Sequence, residues 1–174
     1  MIILALGEIL EKIEEEQVMS DGRPSVLITD SRHAPRAMEM AGMVYDGEIS
    51  LAEVGFCKLE TQQECLAGSL CIPKLLDVLG SRYRMLFFIN QHHIVIVDDD
   101  DFAKRLIIRI RRSKTNQGDT RERFLYNFIG QFMSRDLELL GRYERLIMGM
   151  EERVADGERR KVFKARSARY AGNF

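Results

Sequence analysis

The stretch from Arg121 to about Val154, RERFLYNFIGQFMSRDLELLGRYERLIMGMEERV, constrains the fold more than any other part of the chain. Apolar residues recur along it at helical spacing. Ile129, Tyr143 and Met150 fall on one line, Phe132, Leu139 and Leu146 on the next, and Met133, Leu140, Ile147 and Val154 on a third. These are the a, d and e positions of successive heptads, so one broad face is apolar for about nine turns. Asp119 and Glu122 stand three apart at its start and predict an acidic capping box. No proline interrupts it, and Gly130, Gly141 and Gly149 each cost only about 1 kcal/mol against alanine. A continuous helix of this length would run roughly 50 Å, longer than a compact domain of this size is wide. Part of it must leave the body of the domain or pair with another helix.

The sequence ahead of this stretch predicts strands. Met1–Leu6 is an apolar run, and GEILEKIEEEQ after Gly7 reads equally as a second strand or a short helix. Ser20 to Pro24 is a turn, and SVLIT at 25–29 a strand. Asp30 or Ser31 then caps a helix through Met38, ended by Gly42, and Tyr45–Glu48 is loop. Phe56–Glu60 and Leu66–Ile72 read as strands joined by the polar 61–64 segment, and Leu75 to Leu79 as a short helical turn. RMLFFI at 84–89 and HIVIV at 93–97, separated by Asn90, Gln91 and His92, form a hairpin. FAKRLIIRIRR follows as a helix with Phe102, Leu106 and Ile110 on one face, and 113–118 is a polar linker. Strands with intervening helices, then a helical half, make an α+β fold: a mixed β-sheet packed with helices and followed by a long C-terminal helix. The expected division is 1–118, holding the sheet, and 119–174, the helical segment.

Several function classes are excluded or weakened. Net charge is −1, which does not argue for nucleic acid or an acidic surface as partner. No run approaches the roughly 20 apolar residues of a membrane span, and the short MIILALGEIL lacks the basic start of a signal peptide, so the chain reads as soluble. Three cysteines (57, 65 and 71) without metal-ligand spacing read as reduced thiols, small buried side chains on strands. His92 and His93 are adjacent and point to opposite sides of a strand, and His33 is an exposed first-turn helix residue. No nucleophile–base pair, phosphate loop or carboxylate pocket emerges, so no enzyme is expected. The six basic residues Arg159, Arg160, Lys161, Lys164, Arg166 and Arg169 read as a solvated helix or a frayed terminus.

Two acidic features invite chemistry. Asp98, Asp99, Asp100 and Asp101 follow IVIV. Carboxylates there can cap the free N–H groups of the next helix, or together hold a divalent cation, which wants several oxygens. IVIVDDDD also resembles the start of a response-regulator receiver domain. That family needs a phospho-acceptor Asp on a later apolar strand, and none follows. Asp136 falls on the apolar a line between Ile129 and Tyr143, where a lone carboxylate needs a partner: a neighbouring base, a contact between subunits or a cation.

From Phe56 onward the sequence resembles the cytoplasmic domain of CorA-type magnesium transporters. FCKLETQQECLAGSLCIPK, MLFFINQHHIVIVDDDDF and ERFLYNFIGQFMSRDLELLGRYERLIMGMEERV carry the resemblance. Phe124–Tyr126, Leu139–Leu140, Glu144 and Glu151–Glu152 stand where the family's long helix places its apolar and acidic residues. The family's Gly-Met-Asn signature is absent; Gly149-Met150-Glu151 and Ala171-Gly172-Asn173 are not it. The resemblance implies a funnel-type domain on the cytoplasmic side of the membrane, joined to it only through a C-terminal part missing here, and a homopentamer in the full-length protein. It also implies a regulatory magnesium ion bridging carboxylates of two subunits. Metal candidates are Asp98, Asp99, Asp100, Asp101 and Asp136; oligomer contacts are Tyr143, Leu146, Ile147, Met150 and Val154. The alternative is a stand-alone soluble cytosolic protein that uses the long helix to oligomerise, with no transport role.

Overall fold

A computed structural model describes residues 1–74, 77–113, 116–133 and 136–155. The chain divides into two units, Met1–Met133 and Ser134–Phe174. The first is built on a seven-stranded mixed sheet of order β2-β1-β3-β7-β6-β5-β4. Its strands are β1 (Ile2–Ala5), β2 (Glu11–Lys12), β3 (Ser25–Thr29), β4 (Lys58–Thr61), β5 (Leu66–Lys74), β6 (Asp77–Ile89) and β7 (His93–Val97). The segment with two readings, GEILEKIEEEQ, yields both: β2, and then the first part of helix α1 (Glu15–Asp21), closed by Gly22 in the left-handed conformation.

β3 and β7 form the parallel pair at the centre, in register from Ser25↔His93 to Thr29↔Val97; the other paired strands run antiparallel. Every residue of both strands is buried. Covered on both faces, they read as unbroken apolar runs rather than alternating ones. Alternation sorts their side chains into two cores. Leu27, Val95 and Val97 join Ile3, Ala5 and Phe88 beneath α1 and α2 (Ala34–Met40). Val26, Ile28, Ile94 and Ile96 join Leu4 and Met85 beneath α3 (Phe102–Arg112) and α4 (Arg121–Met133).

α3 buries Phe102, Leu106 and Ile110 as its spacing predicts, together with Ala103 and Ile107. α4 buries Phe124 and Phe128, one helical turn apart, and so belongs with the sheet; the division falls after Met133 rather than at the 118/119 linker. Its cap is Thr120, whose Oγ1 accepts the Arg123 N–H at 3.1 Å, and not Asp119. A hydroxyl one residue nearer the first turn reaches an orphan N–H that Asp119 does not.

The helical turn expected at Leu75–Leu79 is not formed: residues 77–80 belong to β6, and 75–76 lie outside the described residues. Four or five residues cannot nucleate a helix against a ladder that offers them strand partners, here Lys74↔Asp77 and Pro73↔Arg82. Phe56, expected in a strand, is exposed ahead of β4. Cys65 and Cys71 are buried thiols, whereas Cys57 is exposed.

The remaining helix, α5 (Asp136–Ala155), lies in the second unit. α4 and α5 together cover the predicted long helix except residues 134–135, which lie outside the described residues.

Candidate functional site

β3 and β7 end side by side, and both are followed by acidic turns. At the end of β7 the four aspartates part company. Asp98 is buried, and its two carboxylate oxygens accept the N–H groups of Asp100 at 2.9 Å and Ala103 at 2.6 Å. Burial pushes its pKa up, and these two hydrogen bonds oppose the shift. Asp98 therefore caps α3 from four residues ahead of it. Asp99 turns to the end of β3, accepting the Ser31 N–H and the Ser31 hydroxyl, each at 2.8 Å. Asp100 pairs with Lys74 at 3.3 Å. Asp101, in the left-handed conformation at φ 55°, pairs with Lys104 one turn into α3.

The equivalent turn after β3 is built alike. The Asp30 carboxylate accepts the His33 N–H at 3.0 Å and faces His33 Nδ1 at 2.7 Å, which holds its pKa down. Asp30 is thus the local cap near the start of α2, while Ser31, the other expected cap, is drawn to Asp99.

Lys74 and Asp100 belong to a larger clamp. Tyr83 of β6 stacks on Phe102 of α3, with centroids 4.1 Å apart and planes 10° from parallel. Lys74 lies over the Tyr83 ring, and the Arg105 guanidinium lies beside both rings. Arg105 also donates to the Asp100 carbonyl at 3.0 Å. The start of α3 is fastened to β5 and β6 by stacking and cation–π contact as well as by charge.

Beside the turn is a cleft of about 220 Å³ lined by Leu51, Ala52, Arg82, Arg84, Asp99 and Asp100. A second hollow of about 200 Å³ has Tyr45, Phe88, Glu53 and Glu60 in its wall. Within one chain the acidic run does not fit a chelated divalent cation, which needs several oxygens converging on one point. Each carboxylate is committed in a different direction, and two guanidiniums share the cleft with Asp99 and Asp100. Among the described residues no three His, Cys, Asp or Glu side chains gather closely enough to hold a metal ion. The side chain of Asp136, the fifth candidate, lies outside the described residues.

The expected oligomer contacts present a different picture. Leu146, Ile147 and Met150 of α5 are 46%, 49% and 37% exposed, Leu140 is 61% exposed, and Tyr143 is half-buried. At spacings of three, four and seven residues these side chains form one continuous apolar stripe. The Val154 side chain lies outside the described residues. No described helix is long and apolar enough to cross a membrane.

Sequence reading missed one buried polar pair, Ser25 Oγ and His93 Nδ1, 2.8 Å apart across the parallel ladder. Nothing local signals it, because it depends on the register of strands 68 residues apart. It missed a second device, Gln117, which ties the first strands to the helices. Gln117 Oε1 accepts the Leu10 N–H at 2.9 Å, and its Nε2 donates to the Arg111 carbonyl at 3.0 Å.

No family model and no curated protein matches this sequence. Solved structures do. The soluble domain of CorA from Methanocaldococcus jannaschii superposes with a TM-score of 0.66 at 12% identity, over 95% of this chain and 68% of that one. The full-length CmaX protein superposes with a TM-score of 0.51 at 14% identity, over 91% of this chain and 50% of that one. The fold is that of the CorA soluble domain.

Proposed function

We propose that this chain is the cytoplasmic regulatory domain of a CorA-like divalent-cation transporter. The observation that carries the reading is the fold likeness to the CorA soluble domain along nearly the whole chain. The domain contributes by self-association through the α5 stripe, an apolar surface that a second copy can bury. In the full-length protein the assembly would be the homopentamer that the resemblance implies. Magnesium, the transported ion, would be sensed only in that assembled state. The exposed Asp99 and Asp100 offer half a site, and a carboxylate from a second copy must supply the rest. An ion shared in this way stabilises whichever arrangement brings the copies together.

The test is the complete reading frame. The proposal expects two apolar segments of about 20 residues beyond Phe174, enough to span a bilayer. A frame that ends without them removes the transporter and leaves the stand-alone oligomerising protein.

A further inference from the structure

Arg82 and Arg84 carry charge that the chain itself leaves unanswered. Standing two apart on β6, they share a face of the sheet with Leu86 and Phe88, with Cα atoms about 7 Å apart. Among the described residues neither makes an ion pair, and their one described polar contact runs from Arg82 Nη1 to the Cys71 sulfur at 3.9 Å. Both line the cleft of about 220 Å³ that opens at the carboxyl end of β7, together with Leu51, Ala52, Asp99 and Asp100. Topology puts a cleft there. β3 and β7 run parallel and end together, but β3 leads to α2 on one face of the sheet and β7 to α3 on the other. Where such connections part, the carboxyl ends of the strands are left open for a ligand.

The lining restricts what that ligand is. The cleft is smaller than the roughly 300–1,000 Å³ of pockets for drug-sized molecules, which suits a small ion. A bare divalent cation is repelled by two guanidiniums. An oxyanion is attracted, since each guanidinium offers its oxygens a planar fork of N–H donors. Asp99 and Asp100 set a further condition. Asp100 is offset by Lys74 at 3.3 Å, and Asp99 uses one lone pair of each oxygen on the Ser31 N–H and hydroxyl. An ionised carboxylate has about four acceptor sites, so both acids keep accepting capacity. An anion with no hydrogen to give meets only repulsion from them. One that retains an O–H can donate it.

We propose that this cleft binds inorganic hydrogen phosphate, its oxygens held by Arg82 and Arg84 and its P–OH donating to Asp99 or Asp100. Hydrogen phosphate carries acceptor oxygens and a hydroxyl together, whereas sulfate and the dianion of a phosphomonoester carry no hydroxyl on the charged group. The arginines anchor the ion and the carboxylates discriminate. Once bound, it joins β6 to the turn between β7 and α3. The site is complete within one chain and rests on neither the transporter reading nor self-association.

Titration calorimetry and thermal melts of the full chain test this in magnesium-free buffer, with ionic strength held constant by chloride. Phosphate should raise the melting temperature saturably. It should bind about tenfold more tightly than sulfate, the equivalent of one hydrogen bond to a charged group. Phenyl phosphate, fully ionised at about pH 8, should behave as sulfate does. Arg82→Gln/Arg84→Gln, at two exposed positions, should melt normally without phosphate and lose the shift. Asp99→Asn/Asp100→Asn should bind sulfate and phosphate equally, a gain of sulfate binding that a damaged fold would not produce. Equal binding of phosphate and sulfate, or of phosphate and phenyl phosphate, by the unaltered chain overturns the proposal and leaves an arginine pair that attracts any anion. A phosphate shift that survives Arg82→Gln/Arg84→Gln places the ion elsewhere and overturns it too, as does the absence of any shift at millimolar phosphate.

Discussion

α4 and α5 are written with the same helical period of apolar residues, yet they meet different surroundings. In α4 the stripe ends against the sheet: Phe124 is fully buried and Phe128 nearly so, stacked on each other at 5.8 Å. In α5 the described side chains of the stripe, from Leu140 to Met150, are all partly exposed. Periodicity thus determines that a helix has an apolar face without naming what covers it. Even within α4 the face that packs is not the whole predicted one, since Ile129 and Met133 remain 47% and 56% exposed. The aromatic pair one turn apart decides which side turns inward, because it has the most surface to hide.

The largest expected effect separates these two helices directly. Phe124→Ala or Phe128→Ala should each cost roughly 3–5 kcal/mol of folding stability, measured by denaturant titration. Leu146→Ser/Met150→Ser should change stability by only about 0.5 kcal/mol per site while sharply reducing self-association in sedimentation. If the α5 variant melts as badly as the phenylalanine variants, its stripe is ordinary core.

Smaller changes probe how α3 and α4 are held at their starts. A Cβ on Gly118 would sit 2.8 Å from the Phe124 Cβ, so Gly118→Ala should destabilise by about 1–3 kcal/mol through overpacking. Asp98→Ala strips the Ala103 and Asp100 N–H groups of their acceptor and should cost a similar amount, about 1–3 kcal/mol. Neither change should alter the helicity of α5, and a loss there would join the two regions more tightly than the comparison allows.

Acid should also discriminate. Burial lowers the pKa of His93 below its ordinary 6.5, so the unfolded chain takes up a proton there that the folded chain refuses. The His93 contribution is therefore complete above about pH 6.5 and declines as the pH falls below it. Asp98 has the opposite sign: its raised pKa means that its contribution declines as pH rises through that value. Melts between pH 7 and 5 should show the first unit weakening, and His93→Gln should flatten that slope. A slope unchanged in the variant assigns the effect elsewhere.

The smallest effect belongs to the exposed acids. Asp99→Asn/Asp100→Asn should cost less than about 1 kcal/mol, since both pairs are solvent-exposed. Millimolar magnesium should not shift the melt of the dissociated Leu146→Ser/Met150→Ser chain, and should raise that of the assembled one. Stabilisation of the dissociated chain would place a complete cation site within a single copy.

Much of the sheet is legible in the sequence because its central strands, SVLIT and HIVIV, each carry an unbroken apolar run, Val26–Ile28 and Ile94–Val97, and Asn90 marks the hairpin between β6 and β7. The Asn90 carboxamide oxygen accepts the N–H groups of His92 and His93 at 2.9 and 2.8 Å, the local bonding that makes asparagine a turn residue. The start of β6 is illegible, since its residues become strand only because Pro73 and Lys74 offer a ladder. The aspartate run is legible as four acids and illegible as a site. Its meaning depends on Arg105 in the helix that follows, and on Ser31 and Lys74, which the fold brings in from the turn after β3 and from β5.

The parallel pairing of β3 with β7 also has a consequence during synthesis. β3 is finished at Thr29, but its central neighbour is complete only at Val97, 68 residues later. At ribosomal speeds of about 5–20 residues per second, that leaves roughly 3–14 s with an apolar strand edge uncovered. α5, by contrast, closes its own hydrogen bonds as it emerges. The nascent protein is thus most vulnerable in its first half, and trigger-factor-like holding of arrested chains should peak before residue 97 is released and drop once β7 docks.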